Sequence, residues 1–136
     1  AEMLQRLIPD LRDPSPEQLV VPGSPAVAAF AAQLAEHTGD HGMPEALVGI
    51  YRVALPRLVA GYTAHLARTN EVSDAPTQRV LRLILHDDVA DWQVGEAMVQ
   101  ACLTDAEAVR RASQHQATLE SGLVEGGGLF GLAAGR

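Results

Sequence analysis

From Pro25 onward the apolar residues of this chain recur every three to four positions, and nowhere do they alternate with period two. Such a chain builds helices and offers them no sheet to pack on, so each helix must bury its stripe against another. The strongest helix breakers lie mainly outside this region. Five of the eight prolines fall between Pro9 and Pro25, and six of the twelve glycines fall between Gly122 and Arg136. Four amphipathic segments with short connections lie between, the pattern of an all-α, antiparallel four-helix bundle. At 136 residues the chain fits one domain. The bundle is expected over residues 1–125, with a short helix and a Pro-rich strap at 1–24 and a flexible Gly-rich tail at 126–136.

The elements have local signals. Leu4, Leu7, Ile8 and Leu11 predict a short helix over Glu2 to Leu11, and the strap from Pro9 to Pro25 is extended because proline excludes helix. Ser24 and Pro25 suit the N-cap and first position of a helix striped by Val27, Phe30, Ala31 and Leu34, which Gly39 stops. A longer helix runs from Pro44 to Thr69 on the arc Leu47, Tyr51, Leu55, Leu58, Tyr62 and Leu66. Pro56 leaves the Arg52 carbonyl without a donor and predicts a kink there. The third helix starts at Ser73-Asp74-Ala75-Pro76 and runs to Leu103. The fourth follows Thr104-Asp105-Ala106-Glu107, which fits a capping box, and ends near Val124. The tail carries Leu129, Phe130 and Leu132.

Charge and residue usage narrow the function. A net charge of −7 and a pI of about 5.1 argue against nucleic acid and anionic membrane as partners. All ten basic residues are arginine, which excludes Schiff-base and P-loop chemistry, both of which need a lysine amine. With Cys102 the only cysteine, there is no internal disulfide and no Cys-based zinc site. No apolar run approaches the roughly 18 residues of a membrane span, so a cytoplasmic protein is the expectation.

Polar residues on apolar arcs are the candidates for chemistry. On the third helix the arc Val80, Leu81, Ile84, Leu85, Val94, Met98, Ala101 and Cys102 takes in Asp87, Asp88 and Asp91, while Gln78, Arg79, Arg82, His86, Gln93 and Gln100 form the polar face. Asp87 and Asp91, four apart, share one side. Buried carboxylates cost several kcal/mol each unless a metal, an arginine such as Arg52 or Arg57, or a proton compensates. On the fourth helix Ser113, Gln116 and Glu120 lie among Val109, Ala112, Leu123 and Val124. Tyr51, Tyr62 and His65 line the second. Plain packing is the competing reading for both tyrosines, and a surface position for His86 and His115. His37 and His41 flank a turn, and Cys102 reads as a small buried hydrophobe.

The chain has no Gly-x-Ser-x-Gly, dinucleotide fingerprint or Glu-x-x-His. The stretch from Glu45 through Trp92 nevertheless resembles bacterial members of the ferritin-like superfamily. The features are a long helix with Tyr51, Pro56, Leu58 and Tyr62, then Asp74-Ala75-Pro76-Thr77, Leu81 to Leu85, an acidic cluster and Trp92. The resemblance implies a four-helix fold that holds metals between its helices and activates oxygen, with Asp87, Asp88 and Asp91 in the acidic-cluster region. Aspartates stand where such proteins offer glutamates and a histidine, so an intact di-iron centre is not expected. The leading expectation is a core acidic pocket that binds or converts a small molecule without a cofactor. Asp87, Asp91 and Tyr51 would be catalytic there, and Asp88, Tyr62, His65, Gln116 and Glu120 would bind ligand. One alternative is an iron or manganese oxidase ligated by Asp87, Asp91, Glu120 and His65. The other is a non-catalytic module that pairs as a homodimer or docks a partner.

Overall fold

The computed structural model describes residues 23–36 and 42–130. The first helix over Glu2 to Leu11, the strap up to Pro22, and His37, Gly39, His41 and Leu132 lie outside the described residues. Within them every regular element is helical: α1 (Pro25–Glu36), α2 (Met43–Val48), a π-helical stretch (Gly49–Ala54), α3 (Leu55–Arg68), α4 (Ala75–Cys102) and α5 (Ala106–Glu125).

Caps explain most boundaries. The Ser24 Oγ accepts from the Val27 N–H at 3.3 Å at the head of α1, with Pro25 in first position as expected. At α5 the cap is Asp105, whose Oδ1 accepts from the Ala108 N–H at 2.8 Å, one residue later than the capping box at Thr104. Glu107 is drawn sideways to Arg110 at 2.6 Å instead of reaching back to the chain entering the helix. Before α4, the Asn70 Oδ1 accepts from the Val72 and Ser73 N–H groups, and Asp74 accepts from the Asn70 N–H, so side chains build the turn. At Pro56, where the sequence predicts a kink, the helix changes its hydrogen-bonding pattern. The π stretch lies immediately upstream, and the Leu55 N–H reaches the Ile50 carbonyl at its end. The wider turn takes up the register change that a missing donor imposes.

Partner residues set the topology. Thr69 meets Gln78, Arg52 meets Glu96 and the Tyr51 ring fills the space beside Gly95, so residue numbers rise on one strand of helix as they fall on the other. The unit α2–π–α3 therefore runs antiparallel to α4. Glu45 meets Arg111 and Arg57 meets Glu120, so the same unit runs parallel to α5. The α1 helix lies on α5, with Ala26 against Gly126. Two core clusters meet at the π stretch. One is Phe30, Val53, Leu119 and Leu123; the other is Val48, Val99 and Ala112, flanked by Leu47, Tyr51 and Leu103.

The inner face of α4 differs from the predicted arc. Gln78, Leu81, Gly95 and Val99 are buried, and Leu85, Asp88 and Cys102 are half-buried, which steps by three and four along the helix except across one heptad from Asp88 to Gly95. Gln78, placed on the polar face by the sequence, is buried because its Nε2 donates to the Thr69 Oγ1 at 3.1 Å while its Oε1 accepts from Arg82 at 2.9 Å. Val94, Met98 and Leu83 form a second apolar stripe that faces outward, 63%, 46% and 50% exposed. On α5 the inner residues are Ala108, Ala112, Leu119 and Leu123, while Val109 and Val124 are exposed. Residues 126–130, expected to begin a free arm, fold back. Gly127 and Gly128 take φ of 79° and 83°, where a side chain would be strained. Leu129 then packs on the first cluster and Phe130 lies across Gly61.

Candidate functional site

The site begins with a glycine. Gly61 has no side chain, and the Phe130 ring occupies the space a Cβ would need. The ring meets Tyr62 edge-on, centroids 6.0 Å apart at 64°. Beneath it α3 and α4 flank a half-open cavity of about 330 Å³. Ala64, Leu81 and the Phe130 ring supply apolar wall; Tyr62, His65, Arg68 and Thr77 supply the polar atoms. Gly61, Ala64, His65 and Arg68 recur at helical spacing, so one face of α3 lines the whole length.

Asp88 lies on the same side of α4 as Leu81, one heptad further on. Burial, reinforced by the like charges of Asp91 and Asp87, pushes its carboxyl above the ordinary aspartate value. Burial, and then the Asp88 charge, raise the Tyr62 phenol as well. Tyr62 and Asp88 therefore share one electrostatic environment, each favouring its protonated form.

The other predicted residues are distributed differently. Asp87 and Asp91 are exposed, which corrects their placement in the core. Their arc mixed the core stripe with the outward Leu83–Val94–Met98 stripe, and the mean direction of the two points at neither. Nor do Arg52 and Arg57 neutralise them. Arg52 donates to both oxygens of Glu96, at 3.0 and 2.6 Å, and holds that carboxyl below its ordinary value. Arg57 donates to the Val53 carbonyl and lies 4.0 Å from Glu120. Tyr51 is a packing residue, its ring seated on buried Gly95. Gln116 and Glu120 bond each other at 3.0 Å. Gln116 lines a separate, open groove with Arg52, Trp92, Gln93 and Glu96, so it does not join Tyr62 and His65. His86 is exposed, as the surface reading held. His115 is not on an outer face: its Nε2 lies 3.5 Å from where a Gly49 Cβ would stand.

Four contributors escaped the sequence reading: Arg68, Thr77, Phe130 and Gly61. For Gly61 a signal existed, since a glycine inside a helical pattern asks for a close approach. For Phe130 and Arg68 none did.

Among the described residues no three His, Cys, Asp or Glu side chains come together as a metal site, and Asp87, Asp91, Glu120 and His65 are not gathered. Also among the described residues, no helix is long and apolar enough to cross a membrane.

No family model matches this chain, and no curated protein or solved structure is significantly similar to it.

Proposed function

We propose that the chain is a small-molecule-binding helical domain whose ligand occupies the cavity between α3 and α4, beneath Phe130. The observation that carries this reading is the lining of this half-open cavity. About 330 Å³ lies between two helices under an aromatic cover, lined by apolar wall with a few polar groups at its edge. Ligand sites begin at about that size and are built of those parts. The half-buried acid of this part of α4 is Asp88, in place of the exposed pair Asp87 and Asp91. We read the helices as a four-helix bundle in which α2–π–α3 forms one long member, supported by its antiparallel run along α4. A divalent-metal oxidase has no ligand group to rest on among the described residues.

The test is titration with N-phenyl-1-naphthylamine, a neutral aromatic probe that fluoresces when it leaves water. The reading predicts saturable binding at one probe per chain, and its loss in Ala64→Phe, which fills the cavity from α3. Unsaturable binding, or equal binding by the filled variant, overturns it.

A second reading rests on the outward stripe of α4, where Leu83, Val94 and Met98 face solvent. Such a stripe is a surface for a second copy of the chain. Sedimentation equilibrium is expected to give a dimer that Val94→Glu converts to monomer; a concentration-independent wild-type monomer rejects this.

A further inference from the structure

The described arginines divide by what holds them. Arg52 is paired with Glu96, Arg57 with Glu120, Arg110 with Glu107, and Arg111 with Glu45. Arg82 donates to Gln78. Among the described residues Arg79 and Arg68 have no acceptor; both are exposed, and Arg68 lines the cavity. A guanidinium at the mouth of an apolar cavity, with no acceptor of its own, is a cation with its planar fork unspent. Its natural complement is a carboxylate, which it binds through two parallel N–H donors.

We infer that the ligand of this cavity carries an anionic head group, a carboxylate or a group of like charge, that docks on Arg68. The inference rests on the binding reading above and deepens it. His65, one turn earlier on α3, and the Thr77 hydroxyl, across on α4, are further donors at that end of the cavity. The acid whose charge reaches the lining does so away from Arg68. Asp88 acts on Tyr62, which precedes Arg68 by six residues, or about 9 Å along the helix axis. The polarity of the cavity thus orients an amphipathic ligand, with its head at Arg68 and its apolar body along Ala64 and Leu81 toward the Phe130 ring.

The experiment compares two probes of one aromatic skeleton: 8-anilinonaphthalene-1-sulfonate, which is anionic, and neutral N-phenyl-1-naphthylamine. Arg68→Gln is expected to raise the dissociation constant of the anionic probe about tenfold, the loss of one charge-assisted contact. The neutral probe should change by less than about twofold, and Arg68→Lys should recover part of the anionic affinity. Arg68 is exposed, so the variants are expected to keep the wild-type circular dichroism. If both probes bind wild type and Arg68→Gln shifts them equally, the anionic head is wrong while the cavity stands. If neither probe binds wild type, the binding reading fails and this inference falls with it.

Discussion

Asp88 and Gly95 sit one heptad apart on the inner side of α4 and exert opposite demands on it. Asp88 brings a charge toward the interior; Gly95 removes a side chain so that the Tyr51 ring can enter. The raised Asp88 carboxyl binds its proton more tightly in the folded chain than in the unfolded one. Its contribution to stability is therefore greatest below the ordinary aspartate value and falls as pH rises through the raised folded value. Glu96 acts in the other direction. Held down by Arg52, it stabilises above the ordinary glutamate value and loses that as pH falls through its lowered one. Asp88→Asn should raise the melting temperature above the Asp88 window and remove the decline through it, read by circular dichroism over about pH 4 to 7. An unchanged profile would place Asp88 in solvent. Gly95→Ala forces a methyl into the Tyr51 ring and should cost about 1–3 kcal/mol in urea unfolding. Gly122→Ala is the contrast. It stands on α5 with nothing within 4 Å of a new Cβ, so it should gain roughly 0.5–1 kcal/mol from helix propensity.

At the scale of elements, sequence and structure agree where the signal is local and part where it is relational. The Ser24–Pro25 start and the α4 and α5 spans follow from caps and periodicity. Rotation about the axis does not. A helix with one apolar stripe reports its buried side, but α4 carries two, and the vector between them points toward Asp87 and Asp91. The three-and-four step through Gln78, Leu81, Leu85, Asp88, Gly95, Val99 and Cys102, broken by one heptad from Asp88 to Gly95, was present in the sequence, disguised by a glutamine, an aspartate and a glycine at inward positions. The α5 start tests the same lesson at a cap. Asp105→Ala should cost about 0.5–2 kcal/mol, since it removes the bond to the Ala108 N–H. Thr104→Ala should stay within about 0.5 kcal/mol. Equal losses at both positions would restore the capping box.

At the scale of the whole molecule, the α2–π–α3 unit organises the rest. Its π stretch supplies Val53 to one core cluster and places Tyr51 against the other, and its last third forms one wall of the cavity. Pro56 marked this region in the sequence. The cavity was not legible there, because it depends on two distant pairings. Gln78 with Thr69 sets the register of α3 on α4, and the turn at Gly126–Gly128 returns Phe130 to Gly61. Both join residues through space, where periodicity carries no information. His65 and Tyr62 were rightly grouped because they share α3. Gln116 and Glu120 were grouped with them without knowledge of which helices adjoin.

The most direct measurement is a two-dimensional NMR titration of the amide-labelled chain with N-phenyl-1-naphthylamine. The account predicts shifts concentrated at Gly61, Ala64, His65, Arg68, Leu81 and Phe130, saturating together at one equivalent. Shifts confined to the outward Leu83–Val94–Met98 stripe, or none that saturate, would contradict it.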